Sequence, residues 1–180
     1  LNGFKKITGF FILLLFFLIY FYRFSSNNTN YNDNIIISPA AGKITNICYD
    51  GKNIHVSIFM SVFNNHTQIY PINGTVIDRY YDETGKFDIV VNKEKSRNNE
   101  KKIHTIKGNN GAIVTVTQIA GFIPRRITSS EKVPEIIRAG QYLGMIKLGS
   151  RIDLSFPGKL CDLKVKLNKK INIGDLIYKY

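Results

Sequence analysis

At 180 residues the chain has room for one domain with a real core, or for a small domain plus an appendage. Its net charge of +12 is spread along the chain, which suits an anionic partner such as nucleic acid or an acidic lipid surface. Cys48 and Cys161 stand far apart, outside any C-x-x-C spacing. Neither a disulfide framework nor a zinc site is indicated, and both are expected to be buried structural thiols.

In chain order, Ile7 to Tyr22 (ITGFFILLLFFLIYFY) carries no charge and is flanked by Lys5, Lys6 and Arg23. A spanning helix needs about 20 apolar residues, with a floor of roughly 17, so this run qualifies only with Leu1 to Phe4 and snorkelling lysines included. No small-residue cleavage site follows it. A retained membrane anchor over residues 1–24 is therefore expected instead of a secretory signal. That choice makes a lipid surface, and not nucleic acid, the expected anionic partner. The flanking charges are too nearly balanced to orient the helix, and the opening on Leu1 in place of methionine points to a piece upstream.

The polar stretch FSSNNTNYNDN reads as a tether, over residues 25–34. From Ile35 the character changes. NIHVSIFM, KFDIVVN, GAIVTVTQIAGF, RIDLSF and DLKVKL are β-branched or alternating runs bounded by Gly, Asn or Pro, each expected to form a strand. NKEKSRNNEKK reads as a solvated or mobile loop, and no segment past the anchor sustains a 3.6-residue period.

Two pairs of short repeats stand out. SPAAGKI and YPINGTV share P-x-x-G-x-I/V, each a turn leading into a strand, and IIRAGQYL and KINIGDLI share I-x-x-G-x-x-L/I. The expected fold is mostly β, a pseudo-symmetric barrel/sandwich hybrid of two related halves over residues 35–180, preceded by an N-terminal hydrophobic helix. The I-x-x-G-x-x-L turn is also common in lipoyl-like hammerhead folds.

Near the C-terminus, KLGSRIDLSF sets the pair Gly149-Ser150 between two apolar runs. A hydrolase elbow of the G-x-S-x-G type would need a second glycine and a following helix, and neither pattern is present. On spacing alone the pair reads as a turn.

Its setting changes that reading. From Phe21 onward the chain resembles a short-form (archaeal/bacterial-type) phosphatidylserine decarboxylase proenzyme. The matching stretches run in the family's order: SPAAGKI, IFMSVFNNH with YPINGTV, NNEK, VTQIAGFIPRRI, GQYLGMIKLGSRIDL and KINIGDLI. The collinear set covers nearly nine-tenths of the chain.

The resemblance implies a function for the Gly149-Ser150 pair. In this family the serine hydroxyl attacks the preceding glycine carbonyl, the ester undergoes β-elimination, and the remaining dehydroalanine hydrolyses to a pyruvoyl group. Mapped here, the chain splits into a β chain, 1–149, and an α chain, 150–180, which stay associated. Ser150 becomes the pyruvoyl cofactor, which forms a Schiff base with the serine headgroup and draws electrons as carbon dioxide leaves. The product is phosphatidylethanolamine. His66 matches the family histidine and is the candidate proton donor. Arg125 and Arg126 are candidates for the lipid phosphate, Asn99 and Glu100 for positions near the site, and no metal is expected. His55 and His104 carry no motif and read as structural or surface residues.

Four positions depart from the family pattern: Ala41 and Asn64 where aspartate is usual, Ile69 where short forms carry arginine, and Val62 where proline is usual. In relatives the first aspartate belongs to the system that activates the serine. Two readings follow: a membrane-bound pyruvoyl decarboxylase facing the cytoplasm, open to homo-oligomer formation, or a non-catalytic anchored homologue or hammerhead-type adaptor.

Overall fold

Two-residue alternation of β-branched side chains builds the main sheet. The computed structural model describes residues 2–23, 29–85, 95–121, 127–129, 136–146 and 149–180. Within it, Ile54, Val56, Ile58 and Met60 line one buried face of a strand, and Val114, Val116, Gln118 and Ala120 line that of another. KFDIVVN falls outside the described residues.

The chain forms helix α1 (Asn2–Phe21), then β1 (Ile35–Ile37), β2 (Gly42–Tyr49), β3 (Asn53–Met60), β4 (Thr67–Ile69), β5 (Gly74–Asp82), β6 (Lys101–Gly108) and β7 (Ile113–Ala120). After these come β8 (Ile127–Ser129), β9 (Ile136–Ile137), β10 (Tyr142–Ile146), β11 (Ser150–Pro157), β12 (Lys170–Ile171) and β13 (Leu176–Lys179). Among the described residues these strands form an eight-stranded sheet in the order β12-β2-β3-β11-β7-β6-β5-β9, a three-stranded sheet β4-β10-β8 and a pair β1-β13. The expected mostly-β architecture is present as an open sandwich, with no closed barrel.

Its two halves are related by a pseudo-two-fold axis between the central strands β11 and β7. Ile37 N–H donates to Pro71 O, and Ile69 N–H donates to Pro39 O, both at 3.0 Å. Gly174 N–H donates to Ser38 O, and Gly140 N–H to Tyr70 O, both at 2.9 Å. Each glycine sits in a left-handed turn, at φ 84° and 89°, where a Cβ would be strained. The ladders correspond as well: β1 on β13 matches β4 on β10, and β12 on β2 matches β9 on β5. Both repeat pairs are thus the hinges of this symmetry.

Three expectations need correction. DLKVKL keeps its alternation, with Leu163 and Val165 packed against the core, but it makes only a single bridge, Leu163 to Tyr178, and no strand. NKEKSRNNEKK is no solvated loop in its described part, because Ser96, Asn99 and Glu100 are buried with polar partners and Lys101-Lys102 open β6. Both cysteines are free and exposed: Cys48 lies on the outward face of β2, and Cys161 in a short 3₁₀ turn that buries nothing.

Helix α1 spans about 30 Å at 1.5 Å per residue and is long and apolar enough to cross a membrane. Its side chains face away from the β sandwich until the last turn. There Phe21 is buried and Tyr20 Oη donates to Phe63 O at 3.0 Å, docking the helix end on the loop after β3.

Candidate active site

Ser150 opens β11, where its side chain joins the inward row of Ile152, Leu154 and Phe156. The ladders set it opposite the last residues of two neighbouring strands, Met60 of β3 and Ala120 of β7. It is fully buried, and its Oγ meets the Sδ of Met60 at 3.5 Å. A thioether is a weak acceptor and no base, so this contact leaves the hydroxyl un-ionised.

Gly149 precedes it at φ 61°, left-handed, with nothing within 4 Å of where a Cβ would stand. Space alone would admit a side chain there. The backbone conformation is what favours glycine.

His66 is placed by the loop that follows β3. Asn64 Oδ1 accepts from both the backbone N–H and the hydroxyl of Ser61, each at 2.8 Å, a role its amide oxygen fills as a carboxylate would. Asn65 Oδ1 accepts from Thr67 N–H at 2.9 Å. Within this turn, His66 Nδ1 lies 2.9 Å from Asn64 O, which can only accept, so Nδ1 carries the proton. That leaves Nε2 as a buried lone pair without a hydrogen-bond partner among the described residues. Burial holds the imidazole below its usual range; the Asn64 bond opposes this, and the Arg23 charge adds to it. The ring of Phe21 covers one face.

A row of buried polar groups joins these residues. Gln68 Nε2 donates to His66 O at 2.7 Å and reaches Met60 Sδ at 3.9 Å, the same sulfur that Ser150 meets. Gln118 Nε2 donates to Gln68 Oε1 at 2.8 Å, and His104 Nε2 donates to Gln118 Oε1 at 3.0 Å. His66, Gln68, His104, Gln118 and Ser150 are all fully buried. His104 is thus an internal residue, whereas His55 is half-exposed and paired with Asp50 at 2.9 Å.

Asn99 and Glu100 reach the same strand ends from behind. Asn99 Nδ2 donates to Ala120 O at 2.8 Å, Ala120 N–H donates to Glu100 O at 2.9 Å, and the Glu100 carboxylate accepts from Tyr81 Oη at 2.7 Å. Arg125 and Arg126 lie outside the described residues.

Sequence reading passed over Arg151, Gln68, Gln118, Met60 and Phe21. Arg151 donates to Ser96 Oγ at 2.7 Å and pairs with Asp153 at 2.9 Å, pinning the start of β11 from its other face. The i, i+2 spacing of Arg151 and Asp153 was a readable signal. So was Gln118, a polar side chain in the apolar row of β7.

The family departures differ in setting. Ile69 is fully buried beside Ile37 and Ala139, while Ala41 is half-buried. Across the pseudo-two-fold the counterpart of Ala41 is Asn73, whose Oδ1 accepts from Ala139 N–H at 2.7 Å.

Comparison with known proteins gives the family. The family model for phosphatidylserine decarboxylase matches residues 14–179. The phosphatidylserine decarboxylase proenzyme of Geotalea uraniireducens (strain Rf4) is 33% identical, covering 98% of this chain and 85% of its own. That of Solibacter usitatus (strain Ellin6076) is 35% identical, covering 79% and 69%. No solved structure matches the chain. A match along nearly the whole length, carried by relatives named as proenzymes, shows that the chain belongs to the phosphatidylserine decarboxylase family.

Proposed function

We propose that the chain is a self-processing, membrane-anchored decarboxylase that converts phosphatidylserine, or a related serine phospholipid, to the ethanolamine lipid. The observation that carries this reading is the left-handed Gly149 directly before a fully buried serine at three converging strand ends. Glycine leaves its own carbonyl open to attack, and Ser150 supplies the only atom needed to attack it.

In the self-cleavage, an Oγ–C bond forms at Gly149 as the Gly149–Ser150 C–N bond breaks. Loss of the Ser150 α-proton then releases the Gly149 carboxylate and leaves dehydroalanine. Water enters and ammonia leaves, giving a pyruvoyl group at the head of residues 150–180. The site fits that group: residue 150 is enclosed, and open space at Gly149 accommodates the new chain end. The pyruvoyl group supplies an electron sink for the carboxylate's departure.

The remaining work falls to side chains of this chain. His66, neutral and with Nε2 unpartnered among the described residues, takes up at Nε2 the proton that the serine headgroup ammonium sheds and delivers it to the substrate Cα in place of carbon dioxide. Gln68 orients the His66 backbone and Met60, and Phe21 keeps water off the imidazole. Residues 1–24 form the anchor, which sets the site at the bilayer surface where the headgroup lies, and 25–34 the tether. Its second half is tied down by Asn73, which donates to Tyr31 O and to Asp33. The free thiols Cys48 and Cys161 support a domain on the reducing, cytoplasmic side.

The competing reading, an anchored module without turnover, draws on Ala41 and on the apolar packing of Ile69. Carbon dioxide release from carboxyl-labelled phosphatidylserine in mixed micelles separates the two. Release by the wild-type chain and none by Ser150→Ala supports the enzyme, and no release by either supports the module.

A further inference from the structure

The segment after β11 carries a charge pattern that the decarboxylation does not use. Residues 159–170 hold five lysines against the single acid Asp162. Lys164, Lys166, Lys169 and Lys170 are exposed and line a shallow cavity of about 270 Å³. Asp175, the acid beside it, accepts from Asn172 N–H at 2.7 Å.

The apolar side chains divide between two faces. Leu163 and Val165 turn inward onto the core, while Leu160 and Leu167 stand 48% and 51% exposed among the lysines. Asn168, at φ 65°, makes the turn that carries Leu167 outward. Leucines set among lysines give the loop the mixed apolar and basic edge that suits a lipid interface.

The place of this patch in the fold names its partner. Lys170 pairs with Lys43, and Lys43 with Phe59, next to Met60 and hence level with Ser150. With neighbouring strands about 4.8 Å apart, the patch lies three strands, roughly 14 Å, from the serine. It is at the same end of the sheet as the loop on which Phe21 docks, where the helix leaves the domain.

We infer that the 159–170 loop is a second membrane contact, with its lysines on the phosphates of anionic phospholipid headgroups and Leu167 in the interface. This rests on the reading of α1 as a membrane anchor. The two contacts together hold the Ser150 end of the sheet against the bilayer at two points, where the docked end of the helix alone gives one.

The chain has no tryptophan, so Leu167→Trp gives a lone reporter of depth. The full chain is mixed with vesicles of phosphatidylcholine alone, or with phosphatidylglycerol added, each with brominated acyl chains. Flotation reads the anchor, and quenching of the introduced indole reads the loop. The expected result is flotation with both vesicle types, strong quenching only with phosphatidylglycerol, and loss of most of that quenching when Lys164, Lys166, Lys169 and Lys170 are changed to Gln or salt is raised to about 1 M. Flotation with both types but no quenching on anionic vesicles overturns the loop contact and leaves the anchor standing. Flotation and quenching on anionic vesicles only supports the loop and overturns the anchor. No flotation at all overturns both.

Discussion

Phe21 lays its ring on the imidazole of His66, centroid to centroid 4.4 Å with the planes tilted 33°. The last turn of the apolar helix therefore forms one wall around His66 in the candidate site. Burial is the main cause of the lowered His66 pKa, so Phe21→Ala should admit water and move that pKa up toward its usual 6.5. NMR titration of the imidazole in detergent reads the shift, with Phe21→Leu as the control that keeps the cover. An unchanged pKa in Phe21→Ala would mean that the helix end does not shield the site.

Turnover and maturation should separate at His66. With Nδ1–H fixed on Asn64 O and Nε2 unpartnered among the described residues, the proposed proton transfer runs through Nε2. His66→Ala should still split into two chains yet lose about 10²–10⁴-fold in carbon dioxide release. An uncut His66→Ala chain would assign the histidine to self-cleavage instead.

At position 41 the two-fold relation offers a specific alternative to set against the chemical expectation. A carboxylate restored by Ala41→Asp should speed self-cleavage, by about 10²-fold or more, if it serves as or orients a base for Ser150. Asn73, its counterpart, instead accepts from Ala139 N–H. By the same geometry an aspartate at 41 would accept from Ile173 N–H, raising thermal stability while leaving the cleavage rate unchanged. Following both on one preparation decides between these outcomes.

Much of the fold was readable because the signals are local. Alternation in NIHVSIFM and RIDLSF became β3 and β11, and the paired P-x-x-G and I-x-x-G turns became reciprocal hydrogen bonds across the axis. What stayed hidden depends on distant partners. DLKVKL alternates correctly but finds only Tyr178 to pair with, and Asn99 and Glu100 look like loop residues until Ala120 is beside them. The polar run hid its burial because Ser96 is covered by Arg151, from another strand. Ser150 was legible through its motif, whereas the contact of Phe21 with His66 joins segments with no shared local pattern.

The buried amide ladder makes its own prediction through His104. Burial lowers its pKa from 6.5 to about 4. Below pH 6.5 the unfolded chain takes up a proton that the native state refuses until about pH 4. The resulting stability is full above pH 6.5, falls as pH drops from 6.5 to 4, and is flat below that. His104→Gln removes the titration while retaining an amide donor for Gln118. The wild type should therefore lose about 3 kcal/mol relative to that variant across this window in urea unfolding at a series of pH values. Parallel profiles would place the His104 proton elsewhere.

Cleavage of the Gly149–Ser150 bond, leaving residue 150 as a pyruvoyl group, is read out by the intact mass of the purified full chain. Two chains are expected, one ending at Gly149 and one of residues 150–180 whose blocked N-terminus resists sequential degradation, with Ser150→Ala remaining in one piece. A wild-type chain that stays at full length after prolonged incubation would contradict it.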